Sequence, residues 1–110
     1  METSENYIEI DDALKRVGGN MALYKKLLVK FIDGNYIEAI DAALLSGDME
    51  ESARQVHTLK GVSANLSLER VRALCVELET KIRGGENCMP GFADLKEAYS
   101  VTIDKINELG

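Results

Sequence analysis

The chain of 110 residues is 45% hydrophobic and 29% charged, with a single proline and a net charge of −6. That is the composition of one soluble globular domain large enough for a core of its own. Its acidic balance (sequence pI about 4.8) excludes the basic face that a nucleic-acid binder or a reader of anionic membranes needs.

Lys25-Lys26 and similar short pairs are the only basic clusters, and no apolar run approaches the roughly 20 residues that cross a bilayer. The start METSENYIEIDD lacks the basic and apolar segments of a secretory leader. A cytoplasmic chain, with neither nucleic acid nor membrane insertion among its interactions, is expected.

The apolar spacing is helical nearly throughout, without alternating β-branched stretches or an Asn-Gly or Asp-Gly hairpin signal. A short first helix is predicted from Ile10 to Val17, stopped by Gly18-Gly19. Asn20 can cap a helix carrying Tyr24, Leu27, Leu28 and Phe31, and the spacing resumes at Ile37, Ile40 and Leu44. Gly34-Asn35, between these runs, reads equally as a kink in one long helix or as a break. Ser46-Gly47 ends the segment. Asp48 followed by Glu51 has the pattern of a capping box, with carboxylates at the positive end of the helix dipole. That helix is expected to run to about Leu66. Ser67 is the expected N-cap of the next, whose stripe is Leu68, Val71, Leu74, Cys75, Leu78 and Ile82, closed by Gly84-Gly85. Pro90 suits the first turn of a last helix. There Phe92, Leu95, Tyr99, Thr102, Ile106 and Leu109 recur at spacings of three and four, the seam of a helix packed at a shallow angle.

Short loops place sequential helices side by side. The expected fold class is therefore all-α: an antiparallel up-down four-helix bundle with a short extra N-terminal helix. One domain spans 1–110, with a core from about 8 to 109 and no internal repeat or linker. Cys75 and Cys88 fit neither a zinc spacing nor a redox CxxC; Cys75 lies on an apolar stripe, so it reads as a core residue in a reducing compartment.

His57 is the only histidine. At about 100° per residue, Val56, Leu59, Val62, Ser63 and Leu66 share the core side of its helix and His57 falls opposite. Its neighbours are Ala53, Lys60, Gly61 and Ala64, with Glu50 and Arg54 close by. A core histidine would share the stripe with Leu59 and Leu66. Gly61 costs a helix about 1 kcal/mol relative to alanine. A kink, neutral drift or the close approach of another backbone are the three explanations. Lys60, one turn along, can reach a group bonded to the imidazole.

Imidazole titrates near 6.5 and offers a nitrogen lone pair at neutral pH, which makes it a reversible covalent carrier. A phosphoryl group there brings about two negative charges, which Lys60 can partly neutralise; its transfer asks mainly for positioning and charge stabilisation. The rest of an active site is missing from the sequence. Gly18-Gly19 lacks the GKS/T ending of a nucleotide loop, no second histidine or CxxC serves a metal, and no strand-turn-helix elbow presents a serine. The chain supplies half a site.

The string His57-Thr58-Leu59-Lys60-Gly61-Val62-Ser63-Ala64-Asn65-Leu66 closely resembles the histidine phosphotransfer (HPt) domains of multistep two-component phosphorelays, of the hybrid-sensor-kinase type. LYKKLLVKF, around Tyr24 to Phe31, looks like that family's second helix. Ser46-Gly47-Asp48 resembles its turn before the histidine helix, and Cys75-Val76-Glu77-Leu78-Glu79 its C-x-x-L-E segment. The likeness covers roughly residues 8 to 85; the last helix matches only in pattern. Ser67 departs from it, where many members carry glycine, so a changed turn with function kept is expected.

The resemblance implies that His57 is the phospho-acceptor and that Lys60 stabilises the phosphoryl group. It implies that Gly61 makes room for a docking receiver domain, with Ala53, Arg54 and Ala64 around it. The receiver's aspartate and Mg²⁺ complete the site; this chain binds no cofactor or metal and does not phosphorylate itself from ATP. The implied partners are receiver domains of a hybrid sensor kinase and of a response regulator, and a complete single bundle suggests a monomer. A start at Met1 and an end near the last helix fit both a free protein and a domain of a kinase. Two other readings compete: a non-catalytic helical interaction module with His57 silent, and a haem or metal bundle, whose second ligand would have to be Met21, Met49 or Met89.

Overall fold

Side-chain caps and left-handed turns set the helix boundaries in the computed structural model, which describes residues 7–109. Residues 1–6, part of the stretch read above for a leader, and the terminal Gly110 lie outside the described residues. From Ile10 onward among the described residues, six helices follow one another: α1 Ile10–Arg16, α2 Met21–Ile32, α3 Tyr36–Ser46, α4 Met49–Asn65, α5 Glu69–Arg83 and α6 Met89–Glu108. There is no strand among the described residues, and no helix there is long and apolar enough to cross a membrane.

The Asn20 side chain accepts the Leu23 N–H at 3.0 Å and that of Asp48 accepts the Glu51 N–H at 3.0 Å, which fixes the starts of α2 and α4. At Gly34-Asn35 the chain breaks. Asn35 sits at φ 55°, a left-handed position that asparagine tolerates. The reversal lets Tyr36 stack on Phe31, with ring centroids 5.7 Å apart. Gly47, at φ 78°, closes α3 in the same left-handed region.

The core unites the faces the spacing predicts. Tyr24, Leu28 and Phe31 of α2 are buried, as are Ile40 of α3, Val56 and Leu59 of α4, Val71, Cys75 and Leu78 of α5, and Phe92 and Leu95 of α6. Large apolar side chains of this kind contribute about 1.5–3 kcal/mol each on burial. α4 packs against both α3 and α5, and α5 also packs against α6.

The turn after α4 departs from expectation. Ser67 does not cap α5, which starts at Glu69 with Leu68 at the cap position. Instead it holds φ 57° in a Schellman closure of α4: the Leu68 N–H bonds the Ser63 carbonyl at 2.9 Å and the Ser67 N–H bonds that of Ala64 at 3.2 Å. The site wants glycine, and serine is accommodated by contacts of its own. Its hydroxyl, buried at 1% exposure, donates to Asp12 Oδ2 at 2.7 Å, and its carbonyl accepts the Glu9 N–H at 2.9 Å. The Tyr24 hydroxyl donates to the Leu66 carbonyl at 2.8 Å, so the end of α4 is fastened to α2 as well as to the N-terminal segment.

This balance is measurable. Ser67→Ala keeps the left-handed backbone and loses the hydroxyl bond, so it should lower unfolding stability by about 1 kcal/mol. Ser67→Gly loses the same bond but relieves a strain of similar size, so urea denaturation should place it within about 0.5 kcal/mol of the wild type.

Candidate functional site

α4 turns Val56, Leu59 and Ser63 into the core and leaves the His57 side chain 63% exposed. The ring does not stand free. Across the α4–α5 contact the Glu79 carboxylate, in a residue only 9% exposed, meets His57 Nδ1 at 3.3 Å through Oε2 and 3.4 Å through Oε1. Lys60 Nζ donates to Glu79 Oε1 at 2.9 Å and Arg83 Nε donates to Oε2 at 2.9 Å. Burial pushes the Glu79 carboxyl upward, but the bonds from Lys60, Arg83 and His57 outweigh it and hold the group below its usual range. Glu79 is therefore ionised at neutral pH and can only accept. An acceptor in that place favours the tautomer with the proton on the ring nitrogen facing it and the lone pair on Nε2.

The expected site residues are distributed as follows. His57 and Lys60 lie together, but the Lys60 ammonium is held against Glu79 and its side chain is only 30% exposed. Gly61 is exposed, and a Cβ there would meet no atom within 4 Å. α4 runs on past it to Asn65, so neither a helix break nor internal packing accounts for the glycine. Arg54 is exposed and its guanidinium binds Glu51. Ala64 is half-buried at the margin.

Ala53 needs correction as a docking residue. It is 1% exposed and belongs to the core, because the apolar face of α4 is wider than one stripe and Ala53 lies on the side that meets Ile82 of α5. It reaches only the floor of a hollow lined also by Met49, Glu50, Ile82 and Arg83.

Sequence reasoning placed Glu79 in the C-x-x-L-E segment without a role and overlooked Arg83. A carboxylate next to Leu78 on a stripe of buried residues, with an arginine one turn on, was the available signal. Burial pushes the Cys75 thiol up to about 12, so it is an inert core group. No group of three or more His, Cys, Asp or Glu residues among those described is placed to hold a metal ion.

The arrangement thus offers an exposed imidazole whose Nδ1 faces a carboxylate, beside two cations that share that carboxylate. Glu79→Ala strands Lys60 and Arg83 and should cost about 1–2 kcal/mol at pH 7, given their partial exposure. The folded carboxyl titrates below its usual 4.5. Its contribution is therefore complete above that value and fades as pH falls through the lowered one. Urea denaturation at pH 7 and at pH 3 should show the gap between wild type and Glu79→Ala closing at the acid end.

Residues 33–105 match the family model of the Hpt domain, a segment that contains all of α3, α4 and α5 and most of α6. α1 and α2 precede it. No curated protein and no solved structure matches the chain. Hpt domains are phosphocarriers rather than kinases and interact with receiver domains in phosphorelays. The matched segment carries the histidine helix and the helix that supplies its carboxylate, and the chain belongs to the Hpt domain family.

Proposed function

We propose that His57 takes a phosphoryl group from the aspartate of one receiver domain and gives it to the aspartate of another. The observation that carries this reading is the exposed ring of the chain's one histidine, with Nδ1 against an ionised carboxylate and Nε2 left as the nucleophile. In the charging step the Nε2 lone pair attacks phosphorus and the P–O bond of the aspartyl phosphate breaks. The aspartate leaves as carboxylate, while the ring keeps its Nδ1 proton and becomes a phosphoimidazolium. Discharge is the same exchange run backwards onto a second aspartate. No proton enters or leaves in either direction, so this chain needs no general acid or base.

Mg²⁺ on the receiver and Lys60 on this chain counter the charge on the moving phosphoryl group. Gly61, open above and one turn past the ring, admits the receiver's backbone; Arg54 and Ala64 border that approach. We read the helices around the site as an antiparallel up-down bundle with α1 as the extra N-terminal helix. The chain acts as a single-domain cytoplasmic monomer whose two receivers belong to a hybrid sensor kinase and a response regulator.

Incubation with a phosphorylated receiver domain should place acid-labile, base-stable label on the wild type and none on His57→Gln; label on that variant would overturn the assignment. Lys60→Ala should slow charging about tenfold, the equivalent of about 1.4 kcal/mol of lost charge stabilisation. Gly61→Ala separates docking from folding. It should raise fold stability by up to about 1 kcal/mol and yet slow transfer, when melting and rapid-quench transfer are measured on the same preparation.

A further inference from the structure

Three donors converge on one buried carboxylate. Glu79 takes Lys60 Nζ at 2.9 Å, Arg83 Nε at 2.9 Å and His57 Nδ1 at 3.3 Å. Lys60 comes from the histidine helix, while Arg83 lies one turn along α5 from Glu79 itself. Beneath them the Cys75 thiol is fully buried, and the nearby Arg54 is engaged by Glu51. Two cations against one carboxylate leave the cluster with a single net positive charge.

A phosphoryl group on Nε2 would enter this balance as a rival of Glu79. Lys60 cannot serve both anions fully, so the carboxylate withholds part of the cation that would otherwise stabilise the phosphoryl group. The carboxylate also holds the ring proton on Nδ1. With that proton in place the ring leaves phosphorus as neutral imidazole. Without it, the ring would have to leave as imidazolate, a far poorer leaving group. Both effects weaken the grip of His57 on its cargo.

We propose that Glu79 is a positioning residue that keeps the phosphoryl group on His57 labile, so that the ring is a reversible carrier rather than a terminal acceptor. This deepens the phosphocarrier reading and rests on it. Glu79 touches no phosphoryl atom; it acts through the ring proton and through Lys60. Glu79→Gln retains the size and an acceptor oxygen but removes the charge. Two positive charges would then face the phosphoryl group, and the amide, which can donate as well as accept, would no longer dictate the tautomer.

Phosphoramidate tests this without a partner protein. The Nε2 lone pair attacks phosphorus, the P–N bond of the reagent breaks, and ammonia departs with the bonding pair while Nδ1 keeps its proton. After removal of the reagent, loss of the phosphoryl group at pH 8 is followed by ³¹P NMR. Water attacks phosphorus, the Nε2–P pair returns to the ring and inorganic phosphate is released.

Glu79→Gln should hold its phosphoryl group about tenfold longer than wild type, since an opposite charge at this range shifts proton affinity by about one unit or more. Glu79→Asp, which restores the charge, should return the half-life toward the wild-type value. Ring ¹⁵N spectra should show the proton on Nδ1 in the uncharged wild type and shared between both nitrogens in Glu79→Gln. A half-life for Glu79→Gln equal to or shorter than wild type overturns the proposal. So does a wild-type ring protonated on Nε2, a result that needs no variant to fold. A wild-type chain that charges with phosphoramidate but gives nothing to any receiver counts against the carrier reading alone, and the half-lives remain readable.

Discussion

A carboxylate withdrawn from water between two helices organises the surface of this molecule. Glu79 lies at the α4–α5 contact at 9% exposure, and an ion in that position requires partners. It finds one on its own helix, Arg83, and two on the neighbour, Lys60 and His57. As a source of net stability such a cluster is modest, because desolvation offsets much of the attraction. Its effect is geometric. A surface histidine otherwise samples several rotamers and both tautomers. Here a partner that can only accept selects one orientation and one protonated nitrogen.

The ring can be exposed and yet fixed because α4 itself is fixed at both ends. Asp48 caps its start, and the Schellman turn at Ser67, the Tyr24 hydroxyl and Asp12 hold its finish. With α3 and α5 packed on two sides, the helix keeps a narrow free strip: Arg54, His57 and Thr58, Gly61, then Asn65. These positions recur every three or four residues, the repeat of one helical face. A visitor able to touch His57 must therefore run along the strip. Gly61 is the one place on it where the backbone itself is the surface, and nothing inside the molecule requires a glycine there.

Most of this fold was legible in the sequence because it follows from single-helix periodicity and local capping chemistry. The stripes of α2, α5 and α6, the Asp48 start, and the exposure of His57 against the buried Leu59 all depend on residues within a few positions of one another. What was not legible depends on how helices sit against each other. Ala53 looked exposed on a wheel because the wheel does not show how α5 packs there, with Ile82 and Arg83 lining the same hollow. Glu79 had no visible partner because periodicity gives neither the rotation nor the axial offset of α5 relative to α4. Ser67 resembled a cap by residue type; its left-handed backbone is set by a turn whose stabilising contacts, Glu9 and Asp12, lie more than fifty positions away in the chain. The break at Gly34-Asn35 was undecidable because that pair is compatible with both a kinked helix and a left-handed turn; the chain takes the turn at Asn35, which brings Tyr36 onto Phe31.

The electrostatics of the whole and of the site point in opposite directions. The chain carries a net charge of −6, which repels acidic visitors at long range. In the cluster against the ring the balance differs, with the two cations Lys60 and Arg83 on the one carboxylate of Glu79. Screening at physiological salt confines such fields to about 8 Å, so long-range repulsion fades and the local excess governs the docked state. A single positive charge is too little to hold a phosphoryl dianion by itself. In the proposed exchange the visitor completes the balance, and one bringing a divalent cation beside a carboxylate would do so only while docked. An incomplete charge balance on one protein, closed transiently by another, is what the proposed acceptance and surrender of a phosphoryl group would require. A site fully neutralised within this chain would hold the group after the partner had left.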